Sequence, residues 1–240
     1  MASWRAIFWT LVGVGFATLA ALATLPETLP ASRRSVEPLS RALLTYGTLL
    51  RDRRLLGYAG AGGFFYAAMY AYVAGTPFAY ITFYHVPARL YGVLFGVGIV
   101  GIMATNMINA RLVARLGSEW LLIRGTLAAA VSGLLLAVMA RTGWGGLWGL
   151  VLPLFLFVSA TGFIVANSIA GALSGFPHRA GAVSALVGAI HYGSGILGSA
   201  LVGACADGMP WPLGWVIAAT GLGSLLCASL LRTRVPADQR

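Results

Sequence analysis

One histidine stands out among the few side chains of this sequence whose types could do chemistry. His191 is the only His, Arg, Asp or Glu that lies deep within a long apolar stretch. An imidazole exchanges a proton near neutral pH, and burying one in lipid without a partner is costly. We therefore predict that His191 lines a polar cavity or handles a proton. The alternative is a neutral imidazole that donates one hydrogen bond between helices.

Aromatic side chains form a second group of candidates. Gly62, Tyr66, Tyr70 and Val73 are spaced three or four apart, which places them on one face of a helix. Phe155 and Phe157 lie near the middle of another apolar stretch. Aromatic faces bind flat hydrophobic or cationic compounds through contact area and cation–π attraction, so these tyrosines and phenylalanines are candidates for a substrate cavity. The alternative for each is ordinary helix packing or an interfacial aromatic belt.

Three asparagines fall toward one end of the predicted helices: Asn106, Asn109 and Asn167. A side-chain amide can cap a helix end or bridge two helices in lipid. We predict such a packing or capping role for all three, rather than contact with a substrate.

Several classes of chemistry find no support in the sequence. The sixteen basic residues are all arginine, which excludes mechanisms that need a lysine Schiff base. Cys205 and Cys227 lie in apolar stretches without metal-ligand spacing, so we expect neither a disulfide framework nor a metal site. Paired carboxylates, a nucleophile–base constellation and a phosphate loop are missing as well, so we expect no enzyme and no cofactor. The arginines form no aromatic-interleaved patch, which argues against nucleic acid as a partner.

The elements that position the candidates are membrane helices. Hydrophobic residues make up 59% of the chain and charged residues 9%, unlike the composition of a water-soluble domain. A helix of about 20 mostly apolar residues crosses a bilayer. Seven stretches meet this test and predict an all-α transmembrane fold: Ile7–Leu25, Leu56–Phe78, Tyr91–Val113, Leu121–Ala140, Gly146–Ala170, Gly181–Ala206 and Leu213–Leu231.

The arginines predict the topology. The connection 26–54 carries a cluster of them, and basic short loops stay in the cytoplasm. The arginine count alternates from loop to loop, which places the N-terminus outside and the C-terminus inside. The predicted division is a helix (1–25), a basic cytoplasmic linker (26–54), a six-helix bundle (55–231) and a cytoplasmic tail (232–240). A signal peptide over residues 1–23 is the alternative, but its cleavage would leave the arginine cluster outside.

Strings of residues in this arrangement resemble a known family. Pro26-Glu27-Thr28-Leu29 closes the first helix, and Gly75-Thr76-Pro77-Phe78 lies late in the second. Ala180-Gly181-Ala182-Val183-Ser184-Ala185-Leu186 opens the sixth. In this order and spacing, the strings are similar to those of the Bcr/CflA drug:proton antiporters of the major facilitator superfamily.

The resemblance implies a fold of two parts: the last helix of the N-terminal half and the six-helix C-terminal half of a major facilitator transporter. Ala166 departs from the family, which commonly has proline before the position of Asn167. The first five helices of the family have no counterpart here. They carry its characteristic loop motif, its antiporter motif and the acidic residue assigned to proton coupling, so the chain resembles an N-terminally truncated member.

Two functions remain open. The resemblance implies a fragment or half of a proton-coupled multidrug efflux transporter in a bacterial inner membrane, exporting small hydrophobic or cationic compounds. Its partners would be the lipid bilayer and, once an N-terminal half completes the cavity, drugs and protons. The alternative is a non-transporting truncated membrane protein or an interaction scaffold, which the absence of a deep carboxylate favours. The sequence leaves the oligomeric state unknown.

Overall fold

The fold is helical throughout the part of the chain that the computed structural model describes, residues 5–26 and 39–231. The α-helices are α1 (Arg5–Ala23), α2 (Leu39–Leu49), α3 (Arg53–Pro77), α4 (Ala88–Leu116), α5 (Ser118–Thr142), α6 (Gly146–Ser159), α7 (Thr161–Ser174), α8 (Ala180–Ala204) and α9 (Trp211–Ser229). A π-helical segment (Phe78–Phe83) follows α3, and a 3₁₀ turn (Pro177–Arg179) precedes α8. The predicted all-α transmembrane fold is confirmed.

The chain divides into two compact units, Met1–Ala42 and Leu43–Arg240. In the first unit, α1 is a helix of 19 residues whose large apolar side chains, such as Trp9 and Phe16, are exposed. It is long and apolar enough to cross a membrane. An apolar helix with all its backbone hydrogen bonds made internally is the structure that lipid tolerates. α1 corresponds to the predicted span Ile7–Leu25.

Parts of the predicted domain division lie outside the described residues. These parts are 1–4 of the predicted first helix, 27–38 of the predicted linker and the whole of the predicted tail, 232–240. Within the linker the structure contains α2, which the sequence analysis did not predict. Asp52 then caps α3, because its carboxylate accepts a hydrogen bond from the Leu55 amide at 2.8 Å. The division into helix, linker, bundle and tail stays a prediction.

The second unit is a bundle with α3 at its centre. α3 packs against α7, α8 and α9, while α5 packs against α6, α7 and α9. α4 lies against α6 and α7. The large side chains that fill the interior include Phe65 of α3, Leu136 of α5 and Phe157 of α6, each fully buried. The bundle therefore supplies a continuous core on which a site can be positioned.

Six segments of the described chain are long and apolar enough to cross a membrane, and α3 is not among them. The reason is compositional, because α3 is 25 residues long but rich in glycine and tyrosine. Three helices pack around α3, so most of its surface meets protein and needs no lipid-compatible side chains. Its length and its place in the bundle still match the predicted span Leu56–Phe78.

The predicted span Gly146–Ala170 consists of two helices, α6 and α7, interrupted at Ala160. The interruption comes after Pro153, which lies inside α6. The Phe163 amide donates to the Ala160 carbonyl, which leaves the Ser159 carbonyl outside the helical ladder. Thr105 of α4 donates its hydroxyl to that carbonyl at 2.6 Å. A neighbouring helix thus satisfies a backbone group that lipid could not.

Candidate functional site

Three predicted residues come together where α3 meets α8. The Tyr66 ring stacks on the His191 ring, with centroids 4.8 Å apart, and on the Tyr70 ring, with centroids 6.4 Å apart. Tyr192 contacts Tyr66 edge-on at 5.6 Å. We call His191, Tyr66 and Tyr70 the aromatic row. The spacing of four on α3 places both tyrosines on the face that α8 crosses.

The two helices that carry the aromatic row are in close contact. An added Cβ on Gly198 of α8 would lie 2.0 Å from the Ala67 carbonyl oxygen of α3, so the backbones touch there. Small residues permit this close approach. In lipid, van der Waals packing rather than hydrophobic burial stabilises it. The aromatic row is therefore held by a rigid crossing of two helices.

His191 is buried without a hydrogen bond at one nitrogen. Only 2% of the residue is exposed, and no partner for Nε2 exists among the described residues. The imidazole edge lies over Gly62, where an added Cβ would be 2.2 Å from Nε2 and 2.8 Å from the Ser168 hydroxyl oxygen. That hydroxyl already donates to the Val165 carbonyl at 2.9 Å. The helix–helix hydrogen bond expected of a packing histidine is not formed at Nε2.

A cavity of about 190 Å³ opens beside the aromatic row. Its walls come from α3 and from α7: Tyr66, Met69, Tyr70, Val73, Thr161 and Val165. None of these residues is charged. Ligand pockets usually enclose about 300–1,000 Å³, so this cavity holds one aromatic ring system rather than a whole drug-sized molecule.

The cavity walls can bind a ring in two ways. Phenol rings offer flat apolar area, and their faces attract cations that have left water. Tyr70 is 39% exposed and Val73 is 48% exposed, so this face of α3 is open in the chain. The arrangement suits a flat hydrophobic or cationic group that enters from the open side and stacks on the tyrosines.

The structure does not bring Phe155 and Phe157 to this cavity. Phe157 is fully buried and packs on Phe65 of α3, with ring centroids 5.1 Å apart. The Phe155 ring lies against Gly101 of α4, 2.9 Å from where an added Cβ would be. The Phe157 side chain is covered by α3, whereas the Phe155 side chain contacts α4 and is half-buried. These contacts are of the kind that helix packing makes, and a place for either ring in a substrate cavity stays a prediction.

Two of the three predicted asparagines meet between α4 and α7. The Asn167 amide donates to the Asn109 carbonyl oxygen at 2.6 Å and to the Phe163 backbone carbonyl at 2.8 Å. Asn167 is 2% exposed and Asn109 is 7% exposed. The side chain of Asn106 is exposed, and its backbone nitrogen packs against Gly162. The Asn109–Asn167 pair is thus a buried bridge between two helices.

Four residues of the site were not predicted from the sequence: Met69, Thr161, Val165 and Tyr192. Met69 lies three residues after Tyr66 and shares its helix face, so the spacing argument could have found it. Tyr192 directly follows His191, and its contact with Tyr66 depends on how α3 and α8 cross. Thr161 and Val165 face the cavity because α7 restarts after the interruption at Ala160. No local sequence signal marks that restart.

Other chemistry finds no cluster in the described part of the chain. No group of three or more His, Cys, Asp or Glu side chains there could hold a metal ion. Two free thiols are present, Cys205 directly after α8 and Cys227 in α9. The aromatic row and its cavity are accordingly the strongest candidate site.

Comparison with known proteins agrees with the helical architecture. The Major Facilitator Superfamily model matches residues 1–199. The chain is 32% identical over 236 residues to an uncharacterized MFS-type transporter, YdgK, of Bacillus subtilis, an alignment that covers 98% of this chain and 58% of the relative.

A second relative is named a bicyclomycin resistance protein homolog, from Haemophilus influenzae. It is 27% identical over 232 residues, covering 96% of this chain and again 58% of the relative. The chain therefore spans less than two thirds of the length of these relatives. With its membrane helices and this match over most of its length, the chain is a multi-pass membrane protein that belongs to the Major Facilitator Superfamily.

Proposed function

We propose that this chain forms the C-terminal part of a proton-coupled drug exporter of the Bcr/CflA type, which moves small hydrophobic or cationic compounds out of a bacterial cell. The observation that carries the proposal is the aromatic row beside an uncharged cavity on the open face of α3. The name of the Haemophilus influenzae relative, a bicyclomycin resistance protein homolog, supports the drug-export part.

The size of the cavity fits a site shared between two halves of a transporter. Transporters of this architecture bind substrate near the bilayer midplane between two repeats. The chain covers 58% of each relative, so a further half would close the open face of the aromatic row. The 190 Å³ cavity would then be one wall of a larger binding site, and it would hold the aromatic part of the substrate.

The residues of the site have distinct proposed roles. Tyr66 and Tyr70 supply stacking area and cation–π attraction. His191 does not line the cavity but stacks on Tyr66, which does, and its Nε2 has no partner among the residues described. An imidazole can also take up a proton, which would place a positive charge against Tyr66 and weaken cation binding. Substrate and proton would then compete at one place, as export driven by proton entry requires.

A binding experiment tests the proposal on the chain as it exists. In lipid nanodiscs, ethidium should bind the 240-residue chain, and Tyr66→Leu should weaken binding about five- to tenfold through the loss of stacking and cation–π attraction. Trp148→Leu is the matched control, since Trp148 is 60% exposed and does not line the cavity. Fluorescence titration gives both dissociation constants. Equal effects of the two substitutions would refute the assignment of the site.

The second candidate is a membrane protein that binds no drug and acts as an inactive product or a scaffold. The three acidic side chains among the described residues, Asp52, Glu119 and Asp207, lie at or beyond helix ends. The bundle thus has no deep carboxylate of its own for coupling in the part described. The nanodisc titration separates the two candidates, because a scaffold would leave ethidium unbound.

We also propose that the protein resides in a bacterial inner membrane with α2 on the cytoplasmic side, as the arginine distribution indicates. Thr48 and Met209 are exposed at opposite predicted sides. In a background without Cys205 and Cys227, Met209→Cys should react with an impermeant thiol reagent in intact cells. Thr48→Cys should react only after the cells are permeabilised. The opposite pattern would invert the topology.

A further inference from the structure

Two glycines make room for the ends of the aromatic row, each on the helix opposite to the ring. Gly195 of α8 faces Tyr70 of α3, and an added Cβ there would lie 2.8 Å from Cδ2 and 3.0 Å from Cγ of that ring. Gly62 of α3 faces His191 of α8, with 2.2 Å between an added Cβ and Nε2. Real Cβ atoms essentially never approach heavy atoms this closely. Each ring can occupy its position only because the residue opposite has no side chain.

We propose that Gly195 is a specificity-determining position that acts through Tyr70, setting how large an aromatic group the cavity accepts. This inference rests on the proposed function, since it assumes that the cavity holds substrate. Gly195 touches no substrate and is a positioning residue. Its missing side chain lets the Tyr70 ring lie back against α8 and leaves the space between α3 and α7 open.

The ring, rather than the helices, yields when Gly195 gains a methyl group. On the same crossing, Gly198 meets the Ala67 carbonyl and Gly63 meets the Ile190 side chain, so α3 and α8 are locked together. Separating them would break both contacts at once. Tyr70, by contrast, is 39% exposed and has free space on its cavity side. The low-cost response is a movement of the ring away from α8.

The direction of that movement decides its effect. Tyr70 and Tyr66 both line the cavity, and Val73 lies one turn further along the same wall. A Tyr70 ring displaced from α8 enters the volume that a substrate ring would occupy. A one-ring compound would still fit in the remaining space, whereas a three-ring compound would not. Gly195→Ala should therefore change size selection rather than abolish binding.

The test uses planar quaternary cations with one, two and three fused rings, titrated by fluorescence against the chain in nanodiscs. Gly195→Ala should weaken binding of the three-ring cation about tenfold, in line with the usual cost of overpacking, and that of the one-ring cation less than about twofold. Gly193→Ala is the matched control on α8, because an added Cβ there meets nothing within 4 Å. It should bind all three probes as the unsubstituted chain does.

A rescue variant separates positioning from damage to the fold. In Gly195→Ala/Tyr70→Leu, the ring that the methyl group displaces is gone, so the relative preference for the three-ring cation should return. A ¹⁹F resonance from fluorotyrosine at position 70 should shift in Gly195→Ala and stay in place in Gly193→Ala. A uniform loss for all probe sizes, an unmoved resonance or a failed rescue would each overturn the inference.

The same titrations distinguish a failure of the role proposed for Gly195 from a failure of the proposed function. If the unsubstituted chain binds none of the cations, or if Tyr66→Leu leaves their binding unchanged, the proposed site is wrong and the size selection with it. If Tyr66→Leu weakens binding while Gly195→Ala behaves as Gly193→Ala, the site stands and only the role of Gly195 is refuted.

Discussion

Two helix crossings in the bundle treat their polar groups in opposite ways. Between α4 and α7, Asn167 donates to Asn109 and to a backbone carbonyl, and Thr105 of α4 satisfies the free carbonyl of Ser159 at the end of α6. Between α3 and α8, His191 is equally buried, yet its Nε2 has no partner among the residues described. An unpaired polar atom in a low-dielectric interior costs free energy, so it persists where something other than stability requires it.

The contrast between the two crossings distinguishes a part of the bundle that stabilises the fold from a part that could bind a ligand. The crossing of α4 with α6 and α7 is closed, since its amides and hydroxyls are directed at each other and at the backbone. The crossing of α3 and α8 is open on one side, where tyrosine rings and a cavity meet the surface. Substitutions at the first crossing should therefore affect stability, and substitutions at the second should affect binding.

The largest effect on stability should follow from breaking the asparagine pair. Asn167→Leu removes the donor to Asn109 and leaves a buried carbonyl oxygen unpaired, which should lower the free energy of unfolding by about 2 kcal/mol. The Asn109→Leu/Asn167→Leu double variant removes both partners and should recover most of that loss. Denaturant titration of the chain in mixed micelles measures both. A double variant less stable than the single one would show that the pair is not a closed unit.

Much of this arrangement could be predicted from the sequence, because hydropathy and spacing are local properties. The apolar stretches predict the helices to within a few residues, and the spacing of Tyr66 and Tyr70 predicts a shared face. α3 shows a limit of that approach. Its glycines and tyrosines lower its hydropathy, which α3 tolerates because its neighbours are protein helices. The composition of α3 alone does not reveal those neighbours.

The rest depends on how helices cross. Phe155 and Phe157 are at the depth expected of cavity residues, but the rotation of α6 directs them at α4 and at α3. The interruption at Ala160 depends on the hydroxyl of Thr105, which is on another helix. Tyr192 joins the aromatic row only through the contact of α8 with α3. A single sequence gives positions along each helix and leaves these rotations undetermined.

Substitution of His191 should affect stability less than substitution of Asn167, and this difference tests the contrast between the two crossings. His191→Leu replaces a ring whose Nε2 has no partner by an apolar side chain of similar volume. No hydrogen bond at Nε2 is lost, so the free energy of unfolding should change by less than about 1.5 kcal/mol. The same denaturant titration used for Asn167→Leu measures it. A loss as large as that of Asn167→Leu would mean that His191 has a structural bond, and the contrast between the two crossings would fail.

Binding measurements on variants of His191 then distinguish its two proposed roles, a polar group beside the cavity and a group that takes up a proton. As pH falls, a protonated His191 would place a positive charge beside Tyr66, so cation binding to the unsubstituted chain should weaken with falling pH. Two other titratable side chains lie near the ring, the phenols of Tyr66 and Tyr192. His191→Gln keeps a hydrogen-bonding group but cannot take up a proton, so its binding should lack this dependence on pH.

The pair of variants assigns the role. If the Gln variant binds ethidium as tightly as the unsubstituted chain at high pH while the Leu variant binds it more weakly, His191 acts as a polar group behind Tyr66. Loss of the pH dependence in the Gln variant then adds proton handling to that role. If the pH dependence survives in Gln, the proton is taken up elsewhere. If ethidium binds the His191→Leu variant as tightly as the unsubstituted chain, with the same pH profile, the unpaired nitrogen has no part in binding. The α3–α8 crossing would then owe its affinity to the tyrosines alone.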